Sequence, residues 1–483
     1  MINKNKINHV VIYSWLICLI VYRLLIAFSY KYELTNGESN NIWKAINVAS
    51  GEKLYNDPEK LPLDVFQYAP ISELPILFFA KISNPESSQY VYNITLLGRL
   101  YQILCNIILG ILLFKISKQL FKFNKINALF ITLTCITLLT PTAFTIRPDA
   151  TALMFLFLTI YSYLKCIEND YPIKGIIITS SLIVLNFFCK QDGIFIAIPI
   201  GIHLVVQKKW IELLKTVVFS TSFLILTFLL MYSYFGSLFF INTILGLKNT
   251  TSISQLITIF DRAYSIYGII MTLGILTTGF YCYRIKNVKI NFIGIIGVFY
   301  FMLALVLSLK IGSWINYYTP FLIISIFTCS YFYHTQLILK TNFSTINLLF
   351  TCIAMIFICH QFYNYTAPHV LKSKRQEYNE EYLACKKLRL ILKLEKKDNI
   401  IIPNQLDRNF LAENSVMVNM EYYNQASYKY KQFKLKANKN IKYIIFKEKE
   451  KESIDFLINY FKIDLQQYNY SKMDQFNVYT YKN

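Results

Sequence analysis

VVIYSWLICLIVYRLLIAFSY, residues 10–30, carries a single charge, Arg23. Coiled as a helix at ~1.5 Å per residue, a run of this length crosses the ~30 Å of a bilayer's hydrocarbon. It is too long for the apolar core of a secretory signal and lacks a small-residue cleavage site, so it reads as a first membrane helix. The rest of the chain continues the theme. Of 483 residues, 55% are hydrophobic and 16% charged, with 38 Phe and 37 Tyr. Mean hydropathy is +0.39. A soluble chain usually carries about a quarter charged residues. This much apolar surface needs hydrocarbon around it.

Further apolar stretches fall near residues 91–114, 126–141, 150–165, 174–189, 193–206, 213–234, 264–283, 290–309, 317–334 and 344–363. The pattern predicts an α-helical polytopic membrane protein with about eleven transmembrane helices. Residues 174–206 are open to two readings, two spans or one long broken helix. Three strongly polar residues, Lys190-Gln191-Asp192, suit a membrane surface better than its midplane and favour two.

The formal charge of +21 invites a nucleic-acid reading, but its distribution does not support one. Lys4 and Lys6 precede the first span. Lys115, Lys118, Lys122 and Lys125 follow the second, and Lys208, Lys209, Lys215, Arg284, Lys286 and Lys289 fill later loops on the same side. By the positive-inside rule that side is cytoplasmic, giving N-in and C-out. The ten cysteines sit within or beside apolar segments, Cys385 excepted, without regular spacing. They read as small core residues rather than as a disulfide framework.

The polar residues then gather outside, in a first external loop (31–90) and a tail (366–483). Residues 1–365 form the membrane domain and include that loop. The loop holds eight acidic residues against five basic. Its spacing predicts an amphipathic helix over 39–50, capped by Ser39 and ended by Gly51, and a second over 72–83 capped by Ser72. Both are expected in the headgroup plane. Glu38 stands before the first helix, where an acid in the first turn is also a plain dipole partner.

These residues resemble a known family. Asn36-Gly37-Glu38, then Gly51 and Leu54-Tyr55, is similar to the first-loop signature of GT-C glycosyltransferases, bacterial polyprenyl-phosphate-sugar transferases related to protein mannosyltransferases and the aminoarabinose transferase of lipid A. Tyr68-Ala69-Pro70, Gly98-Arg99-Leu100, Arg147-Pro148-Asp149, Lys190-Gln191 and Gly312-Ser313 with Asn316-Tyr317-Tyr318 match in order over residues 10–365. Gly37 departs from the pattern, standing where many relatives have Asp and leaving Glu38 alone of an acidic pair.

The resemblance implies transfer of a sugar from a polyprenyl-phosphate donor to a glycan, lipid or protein acceptor of the cell envelope, outside the cytoplasmic membrane. Cations stabilise a phosphate leaving group, arginine bidentately, which points to Arg99, Arg147 and Lys190. The acceptor needs a base or an orienting carboxylate, Glu38 first and Asp149 second. Tyr55, Tyr68, Asn316 and Tyr317 are the expected sugar-pocket residues. Each has a plainer reading: a headgroup-seeking arginine at 99, an Arg147–Asp149 pair or a helix cap at 149, an Asp192–Lys190 pair, and interfacial-belt tyrosines. Two loop carboxylates also suit a hard divalent metal, which is left open.

The tail alternates a helix (377–396), strands (399–403 and 441–446), a helix (452–461) and a strand (476–481), the pattern of a small α/β domain. It resembles external C-terminal domains of GT-C relatives and is expected to act as a lid or docking module. A polysaccharide ligase or polymerase is the nearest rival, but those enzymes usually place their large external loop late. A transporter or flippase would more often show repeated halves and short loops.

Overall fold

The computed structural model describes residues 4–30, 34, 36–58, 66–87, 89–139, 145–247, 251–337, 360, 368–395, 398–402, 415–416, 441–448, 451, 455, 458 and 463–482. Its helices are α1 (Lys4–Ser29), α2 (Asn36–Ala49), α3 (Pro70–Ile82), α4 (Tyr90–Lys115), α5 (Lys125–Leu138), α6 (Pro148–Glu168), α7 (Ile173–Cys189), α8 (Ala197–Val206), α9 (Trp210–Phe235), α10 (Leu238–Thr243), α11 (Ile253–Cys282), α12 (Val288–Ser308), α13 (Thr319–Phe332) and α14 (Pro368–Leu392). Among the described residues six helices are long and apolar enough to cross a membrane: His9–Ser29, Tyr90–Leu120, Pro148–Glu168, Trp210–Phe235, Ile253–Cys282 and Val288–Ser308. Lys125–Leu138, Ile173–Cys189 and Gln191–Val206 are apolar but shorter. The span expected over 317–334 is the shorter α13, and most of the one expected over 344–363 lies outside the described residues.

The helices run back and forth, so their connections collect at two ends. Residues 174–206 show how. Lys190 at the end of α7 bonds Asp149 at the start of α6. Thirteen positions later His203 of α8 lies beside Tyr163, near the other end of α6. Its Nε2 donates to the Val288 carbonyl, which leaves Nδ1 to accept from the Tyr163 hydroxyl. The segment is therefore two antiparallel runs joined by the 3-10 turn Gln191–Ile196. At that far end Glu168 is bonded by both Lys165 and Lys289, and Lys209 meets Asp170. The basic loops share this end, and the acids singled out in the sequence share the opposite one.

Packing follows the demands of hydrocarbon. α9 has no buried residue, and Ile211, Leu214, Val218, Ile225 and Leu229 face outward, as a lipid-facing helix requires. Small residues bring α11, α12 and α13 together. A Cβ on Gly294 would lie 2.5 Å from the Cys282 nitrogen and 2.9 Å from the Thr278 carbonyl oxygen, both rigid backbone. Gly274 meets Ser325 in the same way.

The first external loop departs from expectation. α2 begins at Asn36, before the expected cap Ser39, and Asn40 through Asn47 are buried. It is held inside the fold instead of lying on a surface, and Gly51 ends it at φ +100°. α3 begins at Pro70, with Ala69 and not Ser72 at the cap. Leu74, Phe78 and Ile82 form an exposed apolar stripe on it at helical spacing.

The tail builds a five-stranded sheet in the order β2-β1-β3-β5-β4 from β1 (Asn399–Ile401), β2 (Ser415–Val416), β3 (Ile441–Lys447), β4 (Tyr468–Met473) and β5 (Phe476–Tyr481). β1 is parallel to β2 and β3, while β5 is antiparallel to β3 and β4. Cys385 and Leu388 of α14 cover Ile400, Tyr443, Ile445 and Val478 on one face. Most of the helix expected over 452–461 lies outside the described residues.

If close packing at Gly294 holds α11 to α12, Gly294→Ala lowers the melting midpoint in detergent by a few degrees. An unchanged midpoint would show that the helices separate at no cost.

Candidate active site

At the acidic end two ion pairs are linked by the segment 146–149, and they differ in kind. Glu38, in the first turn of α2, and Arg99, on α4, are both fully buried. Arg99 Nε donates to Glu38 Oε1 at 3.0 Å and Nη2 to Oε2 at 2.8 Å, a bidentate fork. The remaining acceptor capacity of the carboxylate takes the backbone N–H groups of Leu34 (2.6 Å) and Ile146 (3.1 Å). Arg99 Nη1 donates to the Tyr30 carbonyl at 2.6 Å. Asn41 adds a bond to the Ile146 carbonyl. Gly98 permits this approach, since a Cβ there would lie 2.7 Å from the Ile146 side chain.

Neither residue is among those that line the cavity described below. Together they tie the end of α1, the first loop, α4 and the chain entering α6. Residue 99 reads as functional from its cost in a span, and that cost is offset by a partner sixty-one positions away.

From Ile146 the chain is extended at Arg147 and enters α6 through Pro148 at its first position, which puts Asp149 in the first turn. Asp149 Oδ1 accepts from Lys190 Nζ at 3.1 Å and from Asn316 Nδ2 at 2.7 Å. Arg147 Nε lies 3.4 Å from Oδ2. Lys190 also pairs with Asp192 at 3.3 Å and sits 4.7 Å over the Tyr317 ring. Here the side chains are partly open, 18% exposed for Lys190 and 14% for Asp149, unlike the sealed Glu38 pair. Asp149, Lys190, Asn316 and Tyr317 thus meet as the sequence suggested, and the plain Arg147–Asp149 and Lys190–Asp192 pairs exist as well.

Asp149, Lys190, Asn316 and Tyr317 line a cavity of about 70 Å³, together with Asp192 and leucines of α6 and α12. Burial opposes the charge on Lys190, but Asp149 and Asp192 outweigh it, so the ammonium is held above its ordinary range. Burial lifts the Tyr317 hydroxyl to about 12, against the opposing pull of Lys190. Lys310, just after α12, goes the other way: burial first, and repulsion from Lys190 second, bring it down to about 8.

The aromatic loop behaves differently. Tyr55 is buried against Phe235 and Phe239, and its hydroxyl donates to the Tyr68 carbonyl at 3.0 Å. It holds the loop and is not among the residues lining the cavity. Tyr68 is half-buried, its ring edge-on to Phe66 at 5.8 Å, and is not among the residues lining the cavity. Gln191, whose amide donates to the Gln67 and Thr243 carbonyls, joins that loop to the Lys190 turn. Burial also pushes the Glu73 carboxyl up to about 8, with only a modest counter-pull from the Ser72 hydroxyl.

Asn106, Asn186 and Tyr300 also line the cavity and were not singled out in the sequence. Polar residues inside the apolar runs 91–114, 174–189 and 290–309 are the signal that marks them. For a metal, no three His, Cys, Asp or Glu side chains gather among the described residues. Glu38 and Asp149 each have their own cation.

Residues 93–235 match the family of dolichyl-phosphate-mannose-protein mannosyltransferases. No curated protein matches the chain in sequence. In three dimensions it is similar to the crystal structure of ArnT from Cupriavidus metallidurans bound to undecaprenyl phosphate, with TM-score 0.64, 10% identity, and 96% of this chain and 98% of that one covered. The apo state of that protein superposes with TM-score 0.60 at 10% identity, covering 96% and 97%. The Archaeoglobus fulgidus oligosaccharyltransferase tethered to an acceptor peptide gives 0.50 at 10% identity, covering 98% and 74%. The chain thus shares the fold of ArnT, and its residues 93–235 match the mannosyltransferase family.

Glu38→Gln leaves Arg99 buried with half a partner, a change that costs roughly 3–5 kcal/mol when a buried pair is broken. It should lower the melting midpoint sharply, whereas Asp149→Asn, at a partly open site, leaves the midpoint near wild type. Equal midpoints for wild type and Glu38→Gln would refute the structural role.

Proposed function

We propose that this enzyme transfers a sugar from a polyprenyl-phosphate donor to an acceptor of the cell envelope, at the external face of the cytoplasmic membrane. The observation that carries the reading is the Asp149–Lys190–Asn316 cluster in the wall of a cavity that leucines of α6 and α12 also line. A lipid-linked phosphate needs that combination, a cation at the surface and hydrocarbon-compatible walls around it. The separation of basic loops from this cluster supports the orientation.

Lys190, with Arg147 beside it, is the group we assign to the donor phosphate. In the resting state Asp149 and Asp192 neutralise Lys190. An incoming phosphate competes for the ammonium and loosens Asp149. The freed carboxylate then orients the acceptor hydroxyl or amine and accepts its proton. The acceptor atom bonds to the anomeric carbon as the bond from that carbon to the phosphate oxygen breaks. The electron pair leaves on the phosphate, against Lys190. Asn316 keeps Asp149 aimed throughout, and Tyr317 walls the ammonium from water. Glu38 and Arg99 act at one remove, by fixing where α6 begins. The α14–sheet module is a candidate lid or acceptor-docking surface.

Sugar transfer from a radiolabelled undecaprenyl-phosphate hexose tests the assignment. Asp149→Asn should lower kcat about a hundredfold or more with the protein still folded. Wild-type kcat in that variant would remove Asp149 from the chemistry.

A second expectation concerns pH. The donor phosphodiester keeps one negative charge between pH 7 and 9, and Lys190 stays charged. Lys310, with its proton lost near pH 8, is positive below that value and neutral above it. Donor affinity should therefore fall as pH rises from 7 to 9, and Lys310→Met should bind with the weaker affinity at both values. A flat wild-type profile would rule Lys310 out.

A further inference from the structure

Below the ionic mouth the cavity wall changes character. Asn186 lies one helical turn before Lys190 on α7, and Tyr300 projects from the middle of α12. Both line the cavity and are 1% and 5% exposed. Neither the Nδ2 nor the Oδ1 atom of Asn186 has a hydrogen-bond partner, and the Tyr300 hydroxyl has none. The Oδ1 atom of Asn316, at the rim, is also unsatisfied. A buried polar atom without a partner costs about 1–3 kcal/mol. In a wall that also includes Asn106, Leu153, Leu156, Leu303 and Leu307, three such side chains facing one space call for a ligand.

The backbone is arranged to keep Asn186 there. A Cβ at Gly193 would lie 2.7 Å from the Asn186 Cγ and 2.6 Å from its carbonyl oxygen. The glycine lets the turn after Lys190 fold down onto the amide. The same turn is closed by Gly193 N–H donating to the Lys190 carbonyl at 2.8 Å and by Lys190 N–H donating to the Asn186 carbonyl at 3.0 Å. The amide and the ammonium are thus set one above the other by one rigid element.

Among the described residues the ionised members of the cavity wall, Asp149, Lys190 and Asp192, are at the mouth. The deeper polar groups are uncharged amides and a phenol, which donate and accept hydrogen bonds but do not neutralise an ion. We propose that Asn186, Tyr300 and Asn316 form a subsite for the ring hydroxyls of a neutral sugar, carried on the donor whose phosphate meets Lys190. This rests on the donor reading above and adds to it the class of sugar. A uronic acid reaching that depth would bury a carboxylate among amides, a phenol and leucines.

The test uses the purified full-length protein and binding rather than turnover. Dissociation constants are measured for undecaprenyl phosphate, its neutral hexose derivative and its uronic acid derivative. The variants are Asn186→Leu and Tyr300→Phe, close in shape to the native side chains. Wild type should bind the hexose lipid more tightly than the bare lipid phosphate and the uronate lipid. Each variant should lose about tenfold for the hexose lipid and nothing for the bare lipid. Both variants should melt no lower than wild type, since each removes an unsatisfied polar atom. The inference is overturned if either variant keeps wild-type hexose affinity, or if wild type binds the bare lipid or the uronate lipid as tightly as the hexose lipid. If wild type binds none of the three, the donor reading falls and this subsite falls with it.

Discussion

One buried ion pair sets the rest of the site. Glu38 and Arg99 come from helices that neither sequence order nor local propensity would bring together. Neither charge is tolerable in a low-dielectric interior without the other. The bidentate fork leaves two acceptor directions on the carboxylate, and backbone N–H groups on either side of the first loop and of α6 fill them. The pair therefore does more than neutralise itself. It fixes Ile146, and through Ile146 the point at which α6 starts and the place where Asp149 stands.

The second pair shows the opposite use of charge. Lys190 is shared between two carboxylates and an aromatic face, with some access to solvent. A cation held this way can exchange partners when an anion arrives. Sealed and exchangeable ion pairs, linked by the segment 146–149, thus do different work: one holds the frame, the other is available for chemistry. The glycine at 193 and the extended residue at 190 give the second pair its rigid mount above the cavity.

Much of this was legible beforehand. Apolar runs and lysine-rich loops foretold the helices and sorted the chain's two ends, because hydrocarbon imposes length and composition on whatever crosses it. Asp149, Lys190, Asn316 and Tyr317 were marked by the family resemblance, and they meet in space. Tyr55 and Arg99 show what was left open: a residue type says what a side chain can do, not which neighbour occupies it. α2 did mislead. Its apolar spacing matched an interfacial helix, but other elements cover the polar face as well.

By itself the sequence determined the solvent this chain needs, the helical class it must adopt in that solvent, and the small set of charges that had to be explained. Only the tertiary structure decided which charge pairs with which, because a buried carboxylate takes whichever cation the fold brings within hydrogen-bonding distance. It also decided that Asn186 and Tyr300 face a cavity instead of a neighbouring helix. Period and composition cannot specify that, since it depends on how α6, α7 and α12 pack around a space they leave open.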